Sequence, residues 1–126
     1  MGGVLLNLNR AKCVAEFEKL GIHNANETVS AYTNTGVFHE IELGTATPQE
    51  FYNKLRLISG TQISDNDLQK AWLAMIVDVP QCRLNMLEML QPRFNLYLLS
   101  NTNEIHYPEF DKKFVHSNGN TGLHNF

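Results

Sequence analysis

Few of the usual signatures of specialised proteins are present in this chain. It has only two cysteines, Cys13 and Cys82, far apart and both inside helix-like patterns. That argues against a disulfide framework and for a reducing, cytoplasmic setting. There is no run of Lys or Arg, and 10 basic residues face 13 acidic ones for a net charge of −3. Nucleic acid is therefore an unsuitable partner, because its binding depends on clustered cations. No apolar stretch approaches the roughly 20 residues that cross a bilayer. Met1–Leu8 is apolar but short and lacks a cationic start, so it does not read as a secretory signal. The five histidines form no metal-ligand spacing, no glycine-rich phosphate loop occurs, and no repeat or low-complexity tract interrupts the chain.

Local helix signals dominate what remains. Asn9 is placed to cap a helix over about Arg10–Leu20, with Val14, Phe17 and Leu20 inward and Gly21 as its stop. Further helices are expected over Glu27–Tyr32 and over Val37–Leu43, the latter ended by Gly44. Thr47-Pro48-Gln49-Glu50 has the form of a capping box with proline in the first turn. Its helix carries Phe51, Leu55 and Ile58 on one face and ends at Gly60. Ser64 starts the next helix, with Asp65 and Asp67 near its positive end and Leu68, Trp72, Met75 and Ile76 as a buried stripe. Trp72 reads as core, not as a stacking platform. Pro80 opens a helix with Leu84, Leu87 and Leu90 inward, and Pro92 closes it.

Phe94-Asn95-Leu96-Tyr97-Leu98-Leu99 is the one convincing strand. It reads as a buried parallel strand that delivers Ser100-Asn101-Thr102-Asn103 at its C-terminal edge, where open α/β sheets bind ligands. Beyond His106 the pattern decays, and 117–122 is loop-like. Gly2-Gly3 is either a tight turn after a strand or an unstructured start. Ser100, His106 and Asp111 supply the residue types of a nucleophilic triad, but no elbow glycines flank Ser100.

This order of glycine pair, helices, then a strand ending in Ser-Asn resembles the haloacid dehalogenase-like hydrolase superfamily. Gly2-Gly3-Val4-Leu5 is similar to the stretch that follows the family's nucleophilic aspartate, and Leu96–Asn101 is similar to its second motif. Phe38–Gly44, Thr47-Pro48, Ala71-Trp72 and Ser100–His106 most resemble the bacterial glucose-1-phosphate phosphatases. The likeness covers about residues 2–106.

The resemblance implies an α/β, Rossmann-like core fragment with an inserted helical cap, mostly α in this chain. The start of the core would be 1–13, the cap 14–79, and a core helix, motif strand and tail 80–126. It implies a Mg²⁺-dependent phosphatase of a small phosphorylated metabolite such as a sugar phosphate. Ser100 and Asn101 would hold phosphate. Phe38 and His39 would face the substrate from the cap, against a plainer reading in which Phe38 is packed and His39 solvated. Glu42 receives no role.

The same resemblance places the nucleophile two positions before Gly2, where only Met1 stands, and a second aspartate at Gly2 itself. The third-motif lysine and fourth-motif acidic pair have no counterpart after Ser100. The expectation is a chain truncated at both ends, with no catalytic residue, doubtful Mg²⁺ binding, little turnover and self-association through exposed sheet edges. Two rivals stand beside it: a non-enzymatic helical binding module, and a dehalogenase- or epoxide-hydrolase-like branch of the same family.

Overall fold

The computed structural model describes residues 1–23, 25–29 and 36–117. Its helices are α1 (Arg10–Lys19), α2 (Ala25–Thr28), α3 (Val37–Leu43), α4 (Pro48–Ser59), α5 (Asp65–Leu73), α6 (Gln81–Leu90) and α7 (His106–Ser117). Their starts are set by short side chains that satisfy orphan backbone donors. Asn9 Oδ1 accepts from Lys12 N at 3.2 Å. Thr47 Oγ1 accepts from Glu50 N at 3.3 Å, while Glu50 Oε2 accepts from Thr47 N at 2.8 Å. Ser64 Oγ accepts from Asp67 N at 3.1 Å. Gly44 and Gly60 end α3 and α4 in the left-handed region, at φ 71° and 68°.

The helices bury two hydrophobic clusters. The larger joins Cys13 and Phe17 of α1, Phe38 and Ile41 of α3, Phe51, Tyr52 and Leu55 of α4, and Leu68 and Trp72 of α5. Phe38 lies at its centre, 5.4 Å from Phe17, 5.3 Å from Phe51 and 4.9 Å from Trp72 between ring centroids. Its contacts with Phe17 and Phe51 are edge-on, which suits the ring quadrupoles. The smaller cluster gathers Leu6, Ile76, Val79, Leu84, Phe110 and Phe114.

The chain passes from one cluster to the other at a short antiparallel bridge between Leu8 and Ile76. Asn7 N donates to Asp78 O at 2.8 Å, Val77 N to Asn7 O at 3.0 Å, and Asn9 N to Met75 O at 2.8 Å. The Asn7 side chain adds a bond to Asp78 Oδ1 at 3.0 Å. The two segments that connect the clusters are thereby tied side by side.

Several local expectations change. Ile58 is 51% exposed, and Tyr52 takes its place in the core, because the arc of α4 facing α3 and α5 spans Phe51, Tyr52 and Leu55. The second helix is Ala25–Thr28; residues 30–32 of the expected Glu27–Tyr32 helix lie outside the described residues, as do 118–122 of the expected loop. Helix α7 was not expected at all. Phe110 and Phe114, four residues apart, bury its inner face, and Asn103 begins it. Pro108 disguises this helix in the sequence, but it sits in the first turn, where proline is tolerated.

Residues 94–100 form no ladder with any described segment, and Phe94, Tyr97 and Leu99 are exposed. Residues 3–6 likewise make a turn and no strand, with Val4, Leu5 and Leu6 N–H groups all directed to Met1 O. The expected buried strand is thus unpaired. A strand is held by a neighbour that completes its hydrogen bonds, and no described residue supplies one.

Candidate binding site

A cavity of about 360 Å³ opens between α3 and the turn that leads into α7. One wall comes from Ile41, Glu42, Leu43, Gly44 and Ala46; the other comes from Thr102, Asn103, Glu104 and Tyr107. Each wall has a local cause. After Gly44 the Thr45 and Ala46 N–H groups both return to Glu40 O, at 3.0 and 3.3 Å, so the chain folds back over the end of α3. On the facing wall Asn103 Oδ1 accepts from Ile105 N at 3.1 Å and His106 N at 2.9 Å, and Asn103 O accepts from Tyr107 N at 3.0 Å. This amide caps α7 and fixes the Thr102–Glu104 turn.

The cavity is chemically lopsided. Two carboxylates, Glu42 and Glu104, line it, and no Lys or Arg does. Partial desolvation raises the pKa of Glu42, and the charge of His39 opposes that rise. Thr102 Oγ1 is buried without a hydrogen-bond partner. Such a group costs on the order of 1–3 kcal/mol while it stays unpaired.

Ser100 and Asn101 immediately precede this wall but are not part of it. Asn101 is exposed, Ser100 is half-buried, and the Ser100 hydroxyl donates to Asn101 O at 3.3 Å. Phe38, expected to face a substrate, is 5% exposed and held in the aromatic cluster. His39 is half-buried, and neither residue lines this cavity. In the sequence Thr102 figures only as part of the polar run after Leu99, Glu42 receives no role, and Tyr107 is not singled out. The only available hint was the polar run after Leu99.

His106 belongs to the interior. Its ring stacks on Trp72 at 4.5 Å and lies 5.8 Å from Phe110. Asn103 Nδ2 meets its Nδ1 at 3.4 Å, which leaves the proton of the neutral ring on Nε2. Nε2 completes no hydrogen bond of good geometry. Burial lowers the pKa to about 4, with a smaller opposing effect from the Trp72 backbone. A neutral, packed imidazole of this kind serves the core and not a nucleophilic triad.

Among the described residues no group of three or more His, Cys, Asp or Glu side chains is placed to hold a metal ion. Mg²⁺ needs several oxygen ligands in octahedral array. It is commonly held by one or two carboxylates completed by water and substrate phosphate, and the described residues present no larger carboxylate cluster dedicated to it. No described helix is long and apolar enough to cross a membrane.

No family model matches the chain. It is 34% identical over 102 residues to a D-ribitol-5-phosphate phosphatase of Bacteroides thetaiotaomicron, which covers 81% of this chain and 50% of that protein. A HAD family enzyme from the same organism, crystallised as an aspartate-to-alanine variant with magnesium and inorganic phosphate, superposes with a TM-score of 0.93 at 35% identity. That match covers 100% of this chain and 62% of the other. A predicted HAD-like family hydrolase from Porphyromonas gingivalis gives 0.82 at 26% identity, over 97% of this chain and 58% of the other. The chain thus spans about half the length of the curated relative it matches.

Proposed function

Because the chain is a member of the HAD-like hydrolase superfamily in fold and in sequence kinship, we propose that it forms the cap-bearing part of a phosphatase for small phosphorylated sugars or sugar alcohols. Residues 14–79 act as the cap, and 80–117 carry the phosphate-binding side. The Ser100 hydroxyl and the Asn101 backbone N–H donate to a phosphate oxygen. The observation that carries this reading is positional. Ser100-Asn101 ends an apolar segment and stands directly beside a cavity whose opposite wall is α3 of the cap. Magnesium, implied by the family and present with phosphate in the related enzyme, would neutralise phosphate charge in such a reaction. Of the two substrate types in view, glucose 1-phosphate rests on motif likeness and D-ribitol 5-phosphate on the activity named for the curated relative.

Residues 1–126 by themselves turn over neither substrate under this proposal. Phosphoryl transfer to an aspartate needs the carboxylate nucleophile, the cation and a lysine together, and such groups act as a unit. The test is a purified 126-residue protein with Mg²⁺ and each substrate. No phosphate release above the blank is expected, together with inorganic phosphate binding that Ser100→Ala weakens. Cation-dependent hydrolysis abolished by Ser100→Ala would overturn the proposed inactivity. Phosphate binding indifferent to Ser100→Ala would overturn the assigned phosphate seat.

A second reading draws on the exposed Tyr97 and Leu99. A helical module that binds a partner through this face would show the same surface. It would bind no phosphate.

A further inference from the structure

A groove of about 460 Å³ runs between α1 and α5 and shares no residue with the cavity beside Ser100. Its floor is made of Ala15, Ala71 and Ala74, so no large side chain fills the space over the helix crossing. Lys12, Glu16, Asp67 and Lys70 stand along its edges. Lys12, Asp67 and Lys70 are exposed and Glu16 is half-buried. Among the described residues no ion pair engages Lys12, Asp67 or Lys70, while Glu16 pairs with Lys19.

The order of these charges follows from the packing. Helices α1 and α5 run antiparallel, because the Leu8–Ile76 bridge that precedes α1 and follows α5 is antiparallel, and Asn9 N donates to Met75 O at 2.8 Å. The start of α1 therefore lies beside the end of α5, where Lys12 and Ala74 stand. Glu16 is one turn further along α1, and Asp67 is one turn before Lys70 on α5, each a displacement of about 5–6 Å towards the other end. Leu20 closes the groove there. Positive charge is displaced to one end and negative charge to the other.

This pattern selects an occupant. A partner of one charge sign, such as nucleic acid or an anionic membrane, meets as much repulsion as attraction along the groove. A second copy turned by a two-fold rotation meets attraction at both ends, because Lys12 and Lys70 of each copy face Glu16 and Asp67 of the other. The same rotation sets Leu20 of each copy over Ala74 of the other, in the space that the alanines leave. We propose that the α1–α5 groove is the interface of a two-fold dimer of this chain. That interface is self-complementary, closes at two copies, and stands apart from the exposed apolar segment around Tyr97 and Leu99.

The test is sedimentation equilibrium on the 126-residue protein carrying Tyr97→Asp with Leu99→Lys, which removes that segment as a rival route to association. A discrete dimer is expected, weakening as salt is raised. Two further variants recast the groove on this parent. Lys12→Glu with Lys70→Glu makes it acidic, and Glu16→Lys with Asp67→Asn makes it basic while keeping an acceptor for the Ser64 hydroxyl. Each alone should dimerise at least roughly tenfold more weakly than the parent. An equimolar mixture of the two should recover a one-to-one dimer, a gain that unfolded chains could not produce. If the charge variants fail to fold, Ala15→Arg at an exposed position blocks the groove by bulk and should yield monomer. A monomeric parent would give the groove to a different partner and overturn the proposal. Charge variants or Ala15→Arg that dimerise as well as the parent would overturn it too, as would a folded mixture that stays monomeric.

Discussion

The imidazole of His106 lies stacked on the indole of Trp72, with ring centroids 4.5 Å apart and planes 23° from parallel. This contact joins the two hydrophobic clusters. Trp72 belongs to the larger cluster, whereas His106 opens α7, whose Phe110 and Phe114 belong to the other cluster. The turn that carries Thr102 and Asn103 is anchored to α5 through this ring pair.

The first prediction follows from the charge state of that ring. Burial holds the His106 pKa at about 4, below its ordinary 6.5. Between those values the unfolded chain binds more protons than the folded one, so stability rises with pH. The contribution is complete above pH 6.5, falls as pH drops towards 4, and amounts to about 3 kcal/mol at most. Urea unfolding of the wild type and of His106→Phe at several pH values measures it. The variant should lose much of the wild type's slope in that window; equal slopes would exclude His106 as the source.

Thr47→Ala should destabilise the protein by about 1 kcal/mol, because it leaves the Glu50 N–H without its acceptor and dismantles the reciprocal pair. Thr47→Ser should recover most of that loss in thermal melts. If Thr47→Ser were as damaging as Thr47→Ala, the methyl group and not the capping bond would be the cause.

The two thiols should separate cleanly in a disulfide-exchange assay. Cys82 is exposed and reacts at once, whereas Cys13 is fully buried with its pKa pushed up to about 12. Desolvation is the larger cause, and the positive charge of Arg10 opposes it. Cys13 should react only at the rate of unfolding. Prompt reaction of both thiols without denaturant would contradict the packing of α1 against α5.

Tyr97 is 90% and Leu99 96% exposed, in a segment whose backbone has no ladder partner among the described residues. Unpaired apolar backbone recruits another chain. The 126-residue protein should self-associate as its concentration rises, and Tyr97→Asp with Leu99→Lys should reduce light scattering while changing stability by less than about 0.5 kcal/mol. A wild type that stays monomeric across the concentration range would refute this.

Local chemistry made a large part of the helical architecture readable. The bounds of α3, the capping box of α4 and the Ser64 start of α5 each depend on residues within one helical turn, so they could be read directly. The inward positions of Phe17, Leu68, Trp72 and Leu84 also followed from helical spacing. The family likeness was carried by such local motifs, and the HAD-like fold bears it out.

Other features depended on partners remote in the chain. Phe94–Leu99 has strand composition, yet a strand exists through its neighbour, and composition says nothing about whether one is present. Phe38 could face a ligand or the core, and only the convergence of Phe17, Phe51 and Trp72 decided for the core. Helix α7 was hidden because its stability comes from burying Phe110 and Phe114 beside Leu84, with Pro108 suggesting a break. The cavity was invisible because its walls lie on segments well separated in sequence. Propensity and capping act over three or four residues and are written in the sequence directly; a cavity or a ladder is a relation between distant segments, which packing alone creates.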